Sequence, residues 1–127
     1  MINREQAGER DFSILYLRRG VPEAFKILFF EYYPELFSFS LLLLQSRPVA
    51  QKMTMEAFFL LWQRRTEFDS AKNIKAFLYL AVRNKGMQQL KESVPSSPAT
   101  GSATVDAIPS SLPPELLREL FAFAARS

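Results

Sequence analysis

The stretch AFKILFFEYYPELFSFS, residues 24–40, decides the fold. Its apolar side chains recur at spacings of three and four, as they do on one side of an α-helix. The pattern continues to Leu43, and Pro22 suits the first turn of a helix. It predicts a long aromatic helix from Pro22 to about Gln45, with an interruption at Pro34.

The segments on either side of this helix also follow helical spacing. Further helices are predicted at Asp11–Arg19, Pro48–Phe68, Asn73–Glu92 and Glu115–Ala125. Asp69–Asn73 is expected to be a loop, in which Asp69 or Ser70 caps the following helix. No segment alternates with the period of two that is typical of a strand. The predicted fold is therefore all-α, a compact bundle of about four helices followed by a linker and a short C-terminal helix.

Composition divides the chain into three parts. Residues 1–92 are predicted to form the helical domain, and residues 93–111 are rich in Ser, Pro and Ala, as in a flexible linker. Residues 112–127 are predicted to form the short last helix. Its apolar stripe has no packing partner close by in the sequence, so we expect that stripe to be unpaired.

Several classes of function are excluded by residue types that the chain lacks. It contains no Cys and no His, which removes thiolate zinc sites, thiol nucleophiles and histidine bases. The acids of the middle segment, Glu56, Glu67 and Asp69, show no spacing that pairs them for catalysis. We therefore predict a protein that is not an enzyme and needs no cofactor or metal.

The apolar segments are short. The N-terminus is polar and lacks a signal core, and the longest purely apolar run, Leu41–Leu44, is far shorter than the roughly 20 residues of a membrane span. A cytoplasmic protein without a membrane span is predicted.

Positive charge is concentrated in the middle of the chain. Residues 1–46 carry a net charge of −1, residues 47–91 carry +6 and residues 92–127 carry −2. The middle segment is thus the candidate surface for a polyanion such as nucleic acid. From charge alone, an ordinary solvated helix face is the simpler interpretation.

Four motifs in order resemble region 2 of the extracytoplasmic-function sigma factors. Residues 24–40 are similar to that family's pattern of "AF…L…YYP.L..F". EAFFLLW at residues 56–62 resembles "E.F..LW", and Phe68-Asp69 with AFLYLAVRN at residues 76–84 resembles "F…..AWL..IARN". The order and spacing agree over about residues 12–92. Past the linker, LPPELLRELF at residues 112–121 is similar to the opening of region 4.

The resemblance implies a non-enzymatic module that binds core RNA polymerase and the promoter −10 element. The loop Asp69–Asn73 would form a pocket for a flipped base, and nearby cations would bind the phosphate backbone of the DNA. The DNA-binding residues implied are Arg64, Arg65, Lys72, Asn73, Lys75, Arg83, Asn84, Lys85 and Gln88. The residues implied at the β′ clamp helices of the polymerase are Lys52, Met55, Glu56 and Phe59.

The chain departs from the family in two respects. Lys52 stands where the family usually has an acid, and Met55 stands where it usually has Gln. Such a change at a protein–protein contact can weaken binding or change which partner binds. The family also continues into a helix-turn-helix that reads the −35 element. We therefore expect the present chain to be a truncated product or a piece of a longer protein.

Each implied site has a purely structural alternative. Arg64 and Arg65 would end a helix and complement its dipole, and Lys72, Lys75 and Asn84 would be ordinary surface residues. Trp62 and Phe77 lie in register with the buried stripe and are predicted to be core. Met55 and Phe59 fit either the core or an apolar patch for a partner helix. For the whole chain, the alternative function is a degenerate sigma fragment that binds an anti-sigma factor or polymerase without promoter activity.

Overall fold

The computed structural model describes residues 14–92 and 108–126. Residues 14–18 are helical and are labelled α1. The longer helices are α2 (Pro22–Leu44), α3 (Arg47–Gln63), α4 (Ala71–Glu92) and α5 (Pro114–Arg126), with a 3₁₀ turn at Arg65–Glu67 after α3. No strand occurs in these two described ranges. The predicted all-α bundle with a short C-terminal helix is confirmed.

The ends of α2 and the start of α3 are marked by residues with special backbone conformations or capping side chains. Gly20 adopts a positive φ of 80° just before α2, a conformation that costs glycine little. Gln45 ends α2 in the left-handed region, with its N–H donating to the Leu41 carbonyl at 2.8 Å. The Ser46 hydroxyl then accepts from the Val49 N–H at 3.5 Å and caps α3, whose first turn contains Pro48.

Two predicted boundaries around α3 and α4 are wrong. α3 ends at Gln63 rather than continuing to Phe68, because the chain leaves the helical path at Arg64 and tightens into the 3₁₀ turn. α4 begins at Ala71, so residues 71–73 lie in its first turn and only Asp69 and Ser70 remain of the predicted loop. The Ser70 hydroxyl accepts from the Asn73 N–H at 3.2 Å, which confirms Ser70 as the cap.

A ladder of aromatic rings forms the centre of the bundle. Along α2, the ring of Phe29 stacks on that of Tyr33 with centroids 4.9 Å apart, and Phe25 lies 5.4 Å from Trp62 of α3. Phe58 of α3 approaches Phe29 at 4.7 Å. Such pairs add about 0.5–1.5 kcal/mol each beyond the area that they bury. The prediction that Trp62 belongs to the core is confirmed, since only 1% of it is exposed.

The hydroxyl of Tyr33 is buried in this ladder and has no hydrogen-bond partner in the described part of the chain. Burial raises the pKa of Tyr33 above its ordinary value, because the phenolate would lose its hydration. An unpaired buried hydroxyl costs about 1–3 kcal/mol. The aromatic packing around it outweighs that cost.

α4 runs alongside α2 in a parallel sense. The ring of Phe39 lies 5.0 Å from that of Tyr79. One turn later on α2, Leu43 and Leu44 approach Gly86, which lies about two turns after Tyr79 on α4. A Cβ atom at Gly86 would stand only 3.1 Å from a methyl carbon of Leu44. The glycine, which weakens an isolated helix, therefore permits the two helices to approach closely.

The apolar stripe of α5 is buried, so the expectation that it is unpaired is wrong. Leu116, Leu120 and Ala124 are all buried, and the ring of Phe123 lies 4.7 Å from that of Phe30 on α2. On the polar edge, the ammonium of Lys26 is 3.2 Å from the carboxylate of Glu119. Sequence spacing did not reveal these partners, because they lie about 90 residues away along the chain.

The described end of the predicted linker also packs against the bundle. The indole N–H of Trp62 donates to the Ser111 hydroxyl at 2.7 Å, and Leu112 is buried. Residues 93–107, the rest of that linker, lie outside the described residues, as does the predicted start of α1 at residues 11–13.

By length and composition alone, α2 is apolar enough to cross a membrane. The core helix of a soluble protein passes the same test, and nine residues of α2 are buried within the bundle. The helix is therefore weak evidence for a membrane span.

We expect Leu120→Ala to lower the free energy of unfolding by about 2–5 kcal/mol, because it opens a cavity between α5 and the bundle. Leu42→Ala is the matched control, since Leu42 is 80% exposed, and it should change stability by less than about 0.5 kcal/mol. Urea unfolding followed by circular dichroism measures both. Equal stabilities of the two variants would mean that α5 does not pack as described.

Candidate nucleic-acid interface

The side of α4 that faces away from the bundle is an accessible basic surface. We call it the outer face of α4. Its exposed residues are Lys72, Asn73, Ala76, Leu80, Arg83, Asn84, Met87 and Lys91. No acidic residue occurs between Lys72 and Lys91. These two lysines lie about 28 Å apart along the helix axis.

Three cations of this face carry no ion pair within the described ranges, namely Lys72, Arg83 and Lys91. Arg83 lies three helical turns after Lys72 and about two turns before Lys91, so that all three fall within an arc of about 100° around the helix axis. Uncompensated cations in a row, with amides between them, suit a polyanion whose charges are also in a row.

Two of the predicted DNA-binding lysines of α4 form ion pairs with acids of neighbouring helices. The ammonium of Lys75 is 3.2 Å from a carboxylate oxygen of Glu35 on α2, and that of Lys85 is 3.5 Å from Glu56 on α3. Glu56 is buried, so the ammonium of Lys85 compensates a charge that water cannot reach freely. The structure therefore pairs both lysines with acids, although Lys75 itself is exposed and lies about two helical turns before Arg83.

Lys75 is part of a polar cluster that joins α4 to α2. The hydrogen bond from Tyr79, and then that from Lys75, hold the pKa of Glu35 below its ordinary value. Partial burial, and then the neighbouring Glu35, raise the pKa of Tyr79 to about 12. The cluster fixes α4 against α2 directly behind the first half of the outer face.

Arg64 and Arg65 are both held at the end of α3. Arg64 donates to the two carboxylate oxygens of Glu67 at 2.9 and 2.7 Å and lies over the ring of Phe77. The guanidinium of Arg65 lies 4.5 Å from the centre of the Trp62 ring and donates to the Trp62 carbonyl at 2.9 Å. These contacts match the structural alternative, in which the two arginines close the end of the helix.

The predicted base pocket at Asp69–Asn73 is mostly helical. The Asn73 side-chain amide donates to Asp69 at 3.1 Å, which ties the short connection to the first turn of α4. Lys72 and Asn73 stay exposed at the start of the outer face, whereas Phe77 is half-buried against Phe68 with ring centroids 4.9 Å apart. Gln88 is exposed on α4 beside the outer face.

Most of the residues predicted to contact polymerase are buried within the bundle. Met55, Glu56 and Phe59 are buried, and Lys52 is half-buried. The ring of Phe59 lies 6.2 Å from that of Phe121 on α5. Met55 and Phe59 thus belong to the core of this conformation, one of the two alternatives that the sequence left open.

No protein-family model matches the sequence, and comparisons with curated proteins and with solved structures also find no match.

Sequence reasoning missed the acidic partners of the α4 lysines, and it did not include Lys91 among the DNA-binding residues. Glu35 and Glu56 lie 40 and 29 residues before their lysines, and helical periodicity carries no signal for such pairs. Lys91 was recognisable from spacing, because it follows Arg83 by eight residues and so falls on a similar side of the helix.

We expect Lys85→Ala to destabilise the protein by about 1–3 kcal/mol, because it removes a partner of the buried Glu56 carboxylate. Arg83→Ala removes the same charge from an exposed position and should change stability by less than about 0.5 kcal/mol. Urea unfolding of the two variants compares them. A loss of stability in Arg83→Ala as large as that in Lys85→Ala would contradict this assignment.

The cluster around Glu35 also predicts a pH dependence. Because the folded pKa of Glu35 lies below the ordinary 4.5, its contribution to stability is present above pH 4.5 and is lost as the pH falls through the folded pKa. Glu35→Gln lacks this contribution at every pH. The stability difference between wild type and Glu35→Gln should therefore shrink on acidification below pH 4.5, measured by urea unfolding at a series of pH values. A constant difference would count against the cluster.

Proposed function

We propose that this chain is a sigma-factor-like module that binds core RNA polymerase and the single-stranded −10 element of a promoter. The observation that carries the proposal is the outer face of α4, where Lys72, Arg83 and Lys91 stand in a row without acidic partners in the described part of the chain. The four sequence motifs that resemble sigma region 2 support the same function.

The bundle behind this face is suited to hold it rigid. α4 is fixed to α2 through Glu35, Tyr79 and the close approach at Gly86, and to α3 through the pair of Lys85 and Glu56. Because the helix backbone is held, the spacing of the cations is set before DNA binds, and only their side chains lose conformational freedom on binding. Asn73 and Asn84 would supply hydrogen bonds to bases or sugars along the same line.

Exposed apolar side chains between the cations fit melted DNA rather than a duplex. Leu80 and Met87 are exposed on the outer face between the positive charges. Unpaired bases offer apolar surfaces for such side chains, whereas a closed duplex offers mainly its phosphates along the backbone. Single-stranded DNA is therefore the form of promoter that this surface fits best.

Binding of a labelled single-stranded −10 oligonucleotide should weaken steeply with salt. Arg83→Ala and Lys72→Ala should each lower the magnitude of the salt slope, log K against log [salt], by roughly 0.7, the value for one phosphate contact on a single strand. Arg118→Ala, an exposed arginine on α5, removes the same charge elsewhere and should leave the slope unchanged. Fluorescence anisotropy at a series of salt concentrations measures the slopes, and affinity that is independent of salt would overturn the proposal.

The second candidate is a protein-interaction module without promoter activity, which binds an anti-sigma factor or polymerase. It is favoured by Lys52 and Met55, which stand where sigma factors usually have an acid and Gln, and by the exposed Leu80 and Met87, which also suit a protein partner. Capture of an anti-sigma factor or of core polymerase, together with no salt-dependent oligonucleotide binding, would select this second function.

A further inference from the structure

The end of α1 presents two cations that lie outside the outer face of α4. Arg18 and Arg19 are exposed there, and no acidic residue occurs from Ile14 to Pro22. Neither arginine carries an ion pair within the described residues. We call these two residues the α1 arginine pair. Exposed guanidinium groups without a carboxylate partner are suited to bind an anion, above all a phosphate.

Two contacts place the α1 arginine pair against the connection that leads into α4. Nη1 of Arg18 donates to the Phe68 carbonyl at 2.8 Å. Gly20 lies so close to Arg65 that a Cβ atom at position 20 would stand 3.2 Å from Nη2 of that arginine. The guanidinium of Arg65 is itself held against the Trp62 ring. The turn after α1 therefore rests on a fixed surface at the end of α3.

The α1 arginine pair consequently lies at the end of the bundle where α4 begins. Phe68, which binds Arg18, is four residues before Lys72, so the Cα atoms of Phe68 and Lys72 are at most about 14 Å apart. Lys72 and Asn73 are exposed in the first turn of α4. The backbone N–H groups of that turn also favour an anion. The positive charge of the outer face thus continues toward α1.

The acids of the same connection already have partners. Glu67 accepts two hydrogen bonds from Arg64. Asp69 accepts one from the side-chain amide of Asn73. Arg18 uses one of its five N–H donors on a backbone carbonyl, which orients the guanidinium and leaves donors for the oxygens of a phosphate. This end of the bundle therefore offers oriented donors and positive charge to a ligand.

We propose that the α1 arginine pair is a second phosphate site, which binds the backbone of a nucleic-acid strand where that strand runs past Lys72. The inference rests on the proposed function, which places single-stranded DNA along the outer face of α4. The strand lies over Lys91, Arg83 and Lys72 and continues onto Arg18 and Arg19. Each arginine of the pair gives charge-assisted hydrogen bonds to phosphate oxygens and reads no base.

Salt-dependent DNA binding by the full chain tests the inference. The outer face spans about 28 Å, so a single strand of about 20 nucleotides extends beyond it even at the duplex spacing of about 3.4 Å per phosphate. Arg19→Ala removes one charge of the pair without touching the hydrogen bond that Arg18 makes. Arg126→Ala is the matched control, since it removes an exposed arginine at the end of α5. Circular dichroism confirms that each variant is folded.

We expect Arg19→Ala to lower the magnitude of the slope of log K against log [salt] by roughly 0.7, the value for one phosphate contact on a single strand. Arg18→Ala together with Arg19→Ala should lower it by roughly 1.4, and Arg19→Ala together with Arg83→Ala should do the same, because both sites bind one strand. Arg126→Ala should leave the slope unchanged. Fluorescence anisotropy at a series of salt concentrations measures all of these slopes.

A small phosphate compound is the other source of the same chemistry, and sodium pyrophosphate probes it. The melting temperatures of wild type and Arg19→Ala are compared with and without pyrophosphate at constant ionic strength. We expect pyrophosphate to change both melting temperatures equally. A rise that requires Arg19, together with a salt slope for DNA that does not, would mean that the pair takes a free phosphate, and it would overturn the inference.

The ways of failing are distinguishable. If Arg83→Ala lowers the salt slope and Arg19→Ala does not, the strand does not reach the α1 arginine pair, and the inference fails while the proposed function stands. If the affinity for the oligonucleotide does not depend on salt at all, the proposed function fails and the inference fails with it. Equal losses of slope in Arg19→Ala and Arg126→Ala would show an effect of net charge alone and would refute the second site.

Discussion

The packing of aromatic rings between α2 and α3 is the interaction on which the rest of the structure depends. Phe25, Phe29 and Tyr33 form one side of this contact, and Phe58 and Trp62 form the other. Because these rings bury large areas, a small chain without disulfides obtains a well-defined core. The positions of α4 and α5 follow, since both helices pack against the side surfaces of this pair.

Local sequence signals predicted the elements of the fold well, because they act within one turn of helix. Pro22, Pro48 and Ser70 each mark a helix start through backbone geometry or a capping hydroxyl. The end of α3 was missed because the residues up to Phe68 retain helical periodicity, whereas the backbone at Arg64 turns away to let Arg65 reach Trp62.

Contacts between distant residues account for what could not be predicted of the site. Periodicity placed Arg83 and Asn84 on α4, but it could not show that Lys75 and Lys85 are paired with acids on other helices. The burial of α5 was missed for the same reason, since Lys26 and Phe30 lie far from it in sequence. The net charge of a stretch of sequence therefore overstates the charge that a surface presents. Residues 47–91 carry a net charge of +6, but the cations of α4 without an ion pair in the described residues are Lys72, Arg83 and Lys91.

The close approach at Gly86 has a consequence for the direction of that row. Since α2 and α4 touch there through a position without a side chain, the angle between their axes is set by the methyl groups of Leu43 and Leu44. A Cβ atom at position 86 would press on these methyl groups at 3.1 and 3.2 Å, so the two leucine side chains would have to give way by a few tenths of an ångström. The part of α4 that leads to Lys91 thus rests on α2 at a position that leaves little room for even one methyl group.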